Sequence, residues 1–474
     1  MILALECSTT SGKALLFDPA KGEIVRVKSE SYPGEVSSYR GVWGTQDTNA
    51  VMALVARLGK EVACGADNIE AIALGGTFHS TLVCSGKMEP LTPTYTWMYS
   101  GAEALTGRLR NDERYTLDYY HRTGCMVHAL YPAFQLMKLR EEGFNFDGAR
   151  VSTQSAFLFY TLTGIHFETA STNSGGGLIN TREKIWDAQT IKEIGISLDN
   201  FAELASYRDV KPLSQAGAEL LGLKSGIPVL PSYPDGGLNQ VGSGALDSGS
   251  MTFSMGTSAA IRLSVSEPLV PDNPSTWCYL SPYSWMSGAA VNGACNCVDW
   301  LKPIMFPTQS YAEVEKADVD YKNMPYFMPF LFGERCPGWS DARKGGFYGM
   351  RSYHTPVDMY FSVLEGILFN VYQCYEILCK VAQEPTQILL SGGILNSARW
   401  KQICADIFNR EMFCEEIPHA SLIGATVLAL EYTGYIDNIK NYRVKRGGTV
   451  KPDEKGVSLF AGRYRNYLSY YGSI

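Results

Sequence analysis

The chain opens with a unit of three parts: the apolar stretch Leu3-Ala-Leu-Glu6, the hydroxyl-rich turn Ser8-Thr-Thr-Ser11, and a second apolar stretch from Lys13 to Phe17. The same layout returns past the middle of the chain. There Met251-Thr-Phe253 leads into a tight turn, Ser254 to Ser258, that contains Gly256-Thr257-Ser258, and Ala259 to Val265 follows as the next apolar strand. Strand–turn–strand units are common, so chance recurrence is the alternative to a duplicated domain. At 474 residues the chain is too long for one ordinary core, which favours more than one domain. The repeat divides it into halves of 1–243 and 244–474, with the second copy starting near Gly244.

The surroundings of each hairpin read as α/β. Glu23 to Glu30 continues the first as a third strand, after a turn marked by Pro19 and Gly22. A helix begins at Asp47 or Thr48, either of which can cap it, and Val51, Leu54, Val55, Leu58 and Val62 fall on one face. Ile69 to Leu74 is a buried strand ending at Gly75-Gly76. Three strands, a helix and a strand predict a mixed sheet. In the second half a long amphipathic helix starts near Asp358, with Val363, Leu364, Ile367, Leu368, Val371, Tyr375 and Leu378 inward. The short strand Ile388 to Leu390 runs into Ser391-Gly392-Gly393, and a helix follows with Trp400, Ile403, Cys404, Ile407 and Phe408 on one side. The last helix is expected from Ser421 towards Gly434, where Gly424 and Ala425 permit close packing. No low-complexity tether separates the halves, so they are expected to meet at a hinge.

Composition excludes several classes of function. A net charge of −7 argues against broad, charge-driven binding of nucleic acid and against an anionic membrane surface as partner. The most apolar stretch, residues 360–381, is interrupted by Glu365, Asn370, Glu376 and Lys380, so no membrane span is expected. No secretory leader is read at the N-terminus, and the expected location is cytoplasmic. Twelve cysteines without a C-x-x-C pair, and six dispersed histidines, read as reduced thiols with no structural zinc.

Turns rich in glycine and hydroxyl side chains after buried strands suit phosphate, because backbone N–H groups converge there and small side chains let an anion approach. Three occur: Ser8-Thr9-Thr10-Ser11, Gly256-Thr257-Ser258 and Ser391-Gly392-Gly393. None is a P-loop, and no G-x-G-x-x-G follows a strand. Asp235, in Pro231-Ser-Tyr-Pro-Asp235-Gly236-Gly237, is expected on an open turn where a substrate hydroxyl can reach its carboxylate. Such a group orients the hydroxyl and accepts its proton in phosphoryl transfer, although Pro-Asp-Gly is also a common surface turn. Glu6, beside the first turn, is a candidate for holding Mg²⁺ through water, or is simply a strand-end carboxylate. His79 is a candidate hydrogen-bond partner for a polyhydroxy substrate and Trp97 a stacking surface, against the commoner readings of satisfied histidine and core tryptophan.

Together these segments resemble the FGGY carbohydrate kinase family, and within it the gluconate kinase branch, over almost the whole chain. The resemblance rests on Glu6-Cys-Ser-Thr9-Thr10-Ser11-Gly-Lys13, on Tyr120 to His128, on Met255-Gly256-Thr257-Ser258, and on Gly288 to Gly293. It rests also on Phe330 to Trp339, on Ser391 to Ser397 with Trp400, Gln402, Ala405 and Asp406, and on Ser421 to Ala425. It implies two ribonuclease-H-like domains of the actin and hexokinase type, with ATP and a small-molecule sugar or sugar acid in the cleft between them. The N-terminal domain would hold sugar and phosphates, and the C-terminal domain the nucleotide. It also implies Asp235 as the base, and Thr9, Thr10, Ser11 and Lys13 against the phosphates from one side with Gly256 and Thr257 from the other. Gly293, Gly392, Gly393 and Asn396 would lie along the nucleotide, Phe78, His79 and Trp97 along the sugar, and Mg²⁺ near Asp235 and Glu6. A homodimer is left open.

Two departures stand out. The family's first turn usually has Asp and Gly where this chain has Glu6 and Ser8. After Trp97 it usually has an Asp and an Arg where this chain has Tyr99 and Gly101, which removes a charge pair from the expected sugar site. His79, Arg122 and Arg335 remain as candidate partners for a sugar carboxylate. The expected activity is ATP-dependent phosphorylation of a sugar or sugar acid, gluconate-like, at a hydroxyl. The alternatives are a kinase for a neutral polyol or ketose such as xylulose, and a nucleotide-binding pseudokinase or sensor.

Overall fold

The computed structural model describes residues 1–415, 417–444 and 446–473. It contains two seven-stranded mixed sheets that share one strand plan. In the first, Ile2–Cys7 pairs antiparallel with Ser11–Asp18, which pairs antiparallel with Glu23–Ser31, and Ala71–Gly76 lies parallel on the other side of Ile2–Cys7. In the second, Ser250–Met255 and Ala259–Val265 are antiparallel, Trp285–Val291 is antiparallel to the latter, and Gln387–Gly392 is parallel to Ser250–Met255. The recurrent hairpin is therefore the start of a duplicated α/β unit. The opening strand is buried at every position, Glu6 included, which is why Ile2 to Leu5 reads as an apolar run rather than an alternation.

The helices follow from local signals. Asp47 caps Thr48–Ala63 through Ala50 N, and Val51, Val55, Leu58 and Val62 are buried. The long helix spans Pro356–Val381 and starts before the expected Asp358. Thr355 caps it in a reciprocal capping box with Asp358, and Pro356 occupies the first turn, where its missing N–H costs nothing. All seven side chains expected to face inward are buried. The expectation that the chain's last helix ends near Gly434 is corrected: Ala420–Tyr432 is followed by the helix Glu454–Tyr471. Its buried side chains Phe460, Arg463, Tyr464 and Tyr467 recur at helical spacing behind the cap Asp453.

Helices Asp235–Gly242 and Ala420–Tyr432 cross where both are glycine. A Cβ on Gly242 would lie 2.0 Å from Ala420 O, and one on Gly424 would lie 1.9 Å from Leu238 O. Leu422, Ile423 and Val427 pack in one cluster with Ile2, Ala4 and Leu15, so a helix from the second half seals the core of the first. This pair of helices links the two sheets and bears on the site below.

A buried carboxyl sits at the same junction. Glu415 is 5% exposed and accepts a hydrogen bond from Ser243 Oγ at 2.7 Å, Ser243 being the C-cap of helix Asp235–Gly242. Burial pushes its carboxyl up from 4.5 to about 7, against the lowering effects of Ser243 and Arg446. A raised folded-state value means that stability is fully present below the unfolded value and is lost as pH rises through 7. Glu415→Gln is therefore expected to stabilise the protein at pH 8 by about 3 kcal/mol and to change little at pH 4. Denaturant midpoints at the two pH values measure this.

Candidate active site

Strand Tyr233–Pro234 pairs parallel with Gly75 and Gly76, and Asp235 then opens the helix Asp235–Gly242. The expected open turn is thus corrected to a strand–helix junction. The glycines that follow are there for close approach: a Cβ on Gly236 would lie 2.9 Å from the Phe78 ring and 3.0 Å from Arg262 Nε. Asp235 Oδ1 accepts the Gly236 N–H at 2.7 Å. The carboxylate lines a cavity of about 250 Å³, with Thr9 and Trp97 from the first half and Ser258, Arg262 and Arg335 from the second. Burial raises the Asp235 pKa, as does the charge of Glu6, while Arg262, the Gly236 N–H and Lys13 hold it down. Arg262 was not foreseen. Its signal was a lone charged residue within the apolar strand Ala259–Val265. Its Nη1 donates to Ser254 Oγ at 3.0 Å.

Glu6 and Lys13 face each other across the first hairpin register, and Lys13 Nζ lies 2.6 Å from Glu6 Oε1. Ser421 Oγ donates to the other carboxylate oxygen. Ser8, where the family has glycine, closes the turn: its hydroxyl donates to Ser11 O at 2.7 Å, and its backbone is not in the positive-φ region. Trp97 Nε1 donates to Thr9 Oγ1 at 3.0 Å, which ties the expected sugar wall to the phosphate turn.

His79 corrects one expectation. Its Nδ1–H donates to Gly175 O, which leaves Nε2 as an acceptor. Burial lowers its pKa to about 3, and the charge of Arg335 acts in the same direction. The ring is therefore neutral and is not a cation for a carboxylate. Phe78 lines the same cavity, its ring 5.2 Å from that of Tyr279. Arg122 is likewise engaged elsewhere. It pairs with Asp118 at 3.0 Å and with Asp187, and it lines neither cleft cavity.

A second cavity of about 570 Å³ adjoins the first, and here Thr9 and Thr10 face Thr257 and Ser258 across the cleft. Behind it, the strand register places Met255 beside Gly392. Gly392 has φ +91, and a Cβ there would lie 2.2 Å from Met255 O, so only glycine fits. A Cβ on Gly393 would lie 2.8 Å from Cys295 Sγ, and one on Gly293 would lie 2.1 Å from Pro329 O. Cys295 N donates to Gly256 O at 3.0 Å. Gly256, Gly392 and Gly393 therefore gather round the start of the helix Cys295–Met305, while Asn396 is the exposed last residue of the short helix Gly393–Asn396.

This geometry, two duplicated domains with anion-type turns facing a carboxylate in the cleft, is that of a phosphotransferase of the actin and hexokinase type. Residues 1–242 match the FGGY family of carbohydrate kinases, N-terminal domain, and residues 251–431 match the C-terminal domain. The chain belongs to the FGGY family and is an ATP-dependent carbohydrate kinase. It is similar to a gluconokinase of Bacillus subtilis (strain 168), 26% identical over 466 residues that cover 92% of this chain and 88% of the relative. It is also similar to a xylulose kinase of Escherichia coli (strain K12), 23% identical and covering 87% of this chain and 86% of that one. A crystal structure of gluconate kinase from Lactobacillus acidophilus has the same fold, with TM-score 0.93 and 24% identity over 100% of this chain and 97% of the other. Among the described residues no helix is long and apolar enough to cross a membrane.

Proposed function

We propose that the enzyme transfers the γ-phosphoryl group of ATP to a hydroxyl of a gluconate-type sugar acid, with Asp235 as the general base. The observation that carries this reading is the Asp235 carboxylate in a cavity shared with Thr9 and Ser258 of the two facing turns. Asp235 orients the attacking hydroxyl and takes its proton as the bond to phosphorus forms. The neighbouring Arg262 guanidinium favours the ionised form needed for that step. The neutral His79 accepts a hydrogen bond from a second substrate hydroxyl through Nε2, and Trp97 and Phe78 cover the apolar C–H face of the chain. Thr9, Thr10, Ser11 and Gly256-Thr257 meet the phosphates, and Gly293, Gly392, Gly393 and Asn396 the nucleoside.

Among the described residues no group of three or more His, Cys, Asp or Glu could hold a metal. Asp235 fits Mg²⁺, which keeps several waters and binds through one or two carboxylates plus phosphate oxygens. Glu6, engaged by Lys13 and Ser421 and lining neither cavity, would reach the ion only through water. Bound with the nucleotide, the ion supplies neutralisation of phosphate charge. Lys13, paired with Glu6, holds that carboxylate in place.

An assay coupled to ADP release tests the reading with gluconate, its neutral alcohol glucitol, and xylulose. Gluconate is expected to give the highest kcat/KM. A higher value for xylulose or glucitol overturns the sugar-acid assignment, and ATP binding without turnover on any of them favours the sensor reading. The nucleoside placement has its own test. Gly393→Leu adds bulk beside Cys295 Sγ where the nucleoside is placed, and a steric cost to binding of about 1–3 kcal/mol weakens ATP affinity by roughly 5- to 150-fold. An unchanged ATP affinity in a folded variant rules this placement out.

A further inference from the structure

A sugar acid needs a cation in the site, and the family's usual arginine two residues beyond position 99 is absent. The structure shows why none fits there. A Cβ on Gly101 would lie 2.2 Å from the Tyr99 hydroxyl, so the Tyr99 ring occupies that space. The ring also packs 4.7 Å from Tyr95, and the wall on this side, with Trp97 and Met98, is largely apolar. Positive charge must come from elsewhere in the cleft.

The candidates reduce to one. His79 is neutral and Arg122 is ion-paired outside both cavities. Arg110 gives its Nε to Val127 O at 2.6 Å and its Nη1 to Trp339 O at 2.8 Å. Arg262 serves Asp235 electrostatically and donates to Ser254 Oγ. Arg335 is different. It lines both the inner and the outer cavity, and its Nε is a buried donor without a hydrogen-bond partner. Asp341, which lines the outer cavity with Arg335, accepts a hydrogen bond from His128 Nε2 at 3.1 Å; against the effect of burial, that bond and the charge of Arg335 hold its pKa down. Among the described residues the formal charges lining the inner cavity are Asp235, Arg262 and Arg335, which leaves it one positive charge in excess.

The backbone on either side of Arg335 is pinned. Glu334 is 1% exposed; its Oε1 accepts from Tyr471 Oη at 2.7 Å, and its Oε2 pairs with Arg343 Nε at 3.2 Å. Cys336 N donates to Ala290 O at 3.1 Å. The guanidinium thus projects from a fixed base, and its planar fork matches a carboxylate.

We propose that Arg335 is the carboxylate anchor of the sugar site and the residue that selects an aldonate over the corresponding neutral polyol. This rests on the sugar-acid reading above. The γ-phosphate of ATP offers the same anionic chemistry, but it has the backbone N–H groups of the two turns, whereas Arg335 has no other partner for its buried donor.

The test compares Arg335→Met and Arg335→Lys with the wild-type enzyme, reading KM for gluconate and for ATP separately. Loss of a charge-assisted bond from a buried donor is expected to raise the gluconate KM in Arg335→Met by on the order of 10²-fold. The ATP KM should stay within about threefold, and Arg335→Lys should recover roughly tenfold of the loss, because lysine keeps the charge but not the fork. An unchanged gluconate KM overturns the anchor while leaving the sugar-acid reading intact. A shift confined to the ATP KM, or equal in both, assigns Arg335 to phosphate or to structure and also overturns it. A wild-type enzyme that turns over glucitol or xylulose but not gluconate overturns both readings together.

Discussion

Asp235→Asn is expected to lower kcat by about 10² to 10⁴-fold while leaving the fold and ATP binding in place, the range that a positioned general base contributes. The amide is isosteric and its Oδ1 can still accept the Gly236 N–H held at 2.7 Å, so the start of helix Asp235–Gly242 is kept. What is lost is the basic oxygen. The pH dependence gives a second reading of the same group. Burial and the Glu6 charge raise the Asp235 pKa, so the acid limb of kcat/KM should lie above the usual carboxylate range. A raised value also means that the ionised group costs stability above its unfolded pKa, and that this cost grows as pH rises through the folded pKa. Asp235→Asn should therefore melt no lower than wild type at pH 8. Wild-type-like turnover, measured by coupled ADP release under saturating substrates, would sink the role of Asp235.

Arg463→Met is expected to destabilise the protein by about 3–5 kcal/mol, the cost of leaving a buried charge without its partner. Arg463 is 4% exposed and forms a two-pronged pair with Glu365, itself fully buried, with Nη2 to Oε2 at 2.7 Å. The same guanidinium caps Met324 O at 3.1 Å and Pro325 O at 3.0 Å. Removing it strands the Glu365 carboxylate and Met324 O beside helices Pro356–Val381 and Glu454–Tyr471, while Pro325 O keeps the hydrogen bond from Ser362 Oγ at 2.8 Å. The double variant Arg463→Met with Glu365→Gln should recover much of the loss, since no charge is then left unpaired. Urea midpoints at pH 7 for the two variants and the wild type decide it, and a loss below about 1 kcal/mol would mean the pair is solvated. The single variant should also loosen Tyr471, and through Glu334 the loop that carries Arg335. A rise in gluconate KM at temperatures where the variant is still folded is expected to accompany the lost stability.

What the sequence determined by itself is local and repetitive. The apolar run Ile2–Leu5 records that the strand Ile2–Cys7 is covered on both faces, and Ser250–Met255, where Ser and Thr alternate with apolar residues, was legible through the strand–turn–strand layout it shares with the first hairpin. Helical spacing recorded the inward face of Pro356–Val381, and the hydroxyl and glycine turns announced anion chemistry without naming the anion. The same rule could have found Glu454–Tyr471, whose Phe460, Tyr464 and Tyr467 keep helical period. Tertiary structure alone decided the rest, because spacing states which side of a segment is buried and not what lies against it. The pairing of Pro234 with Gly76 turned an apparent surface turn into the start of a helix. Arg262 reached Asp235 only because a separate strand runs past Gly236. Arg122 and Arg335 stood as equal candidates in the sequence, and Arg110 and Arg262 were not singled out. Only the tertiary contacts showed that Arg110 and Arg122 are engaged outside the inner cavity, and that Arg335 lines both cavities with its buried Nε unpartnered.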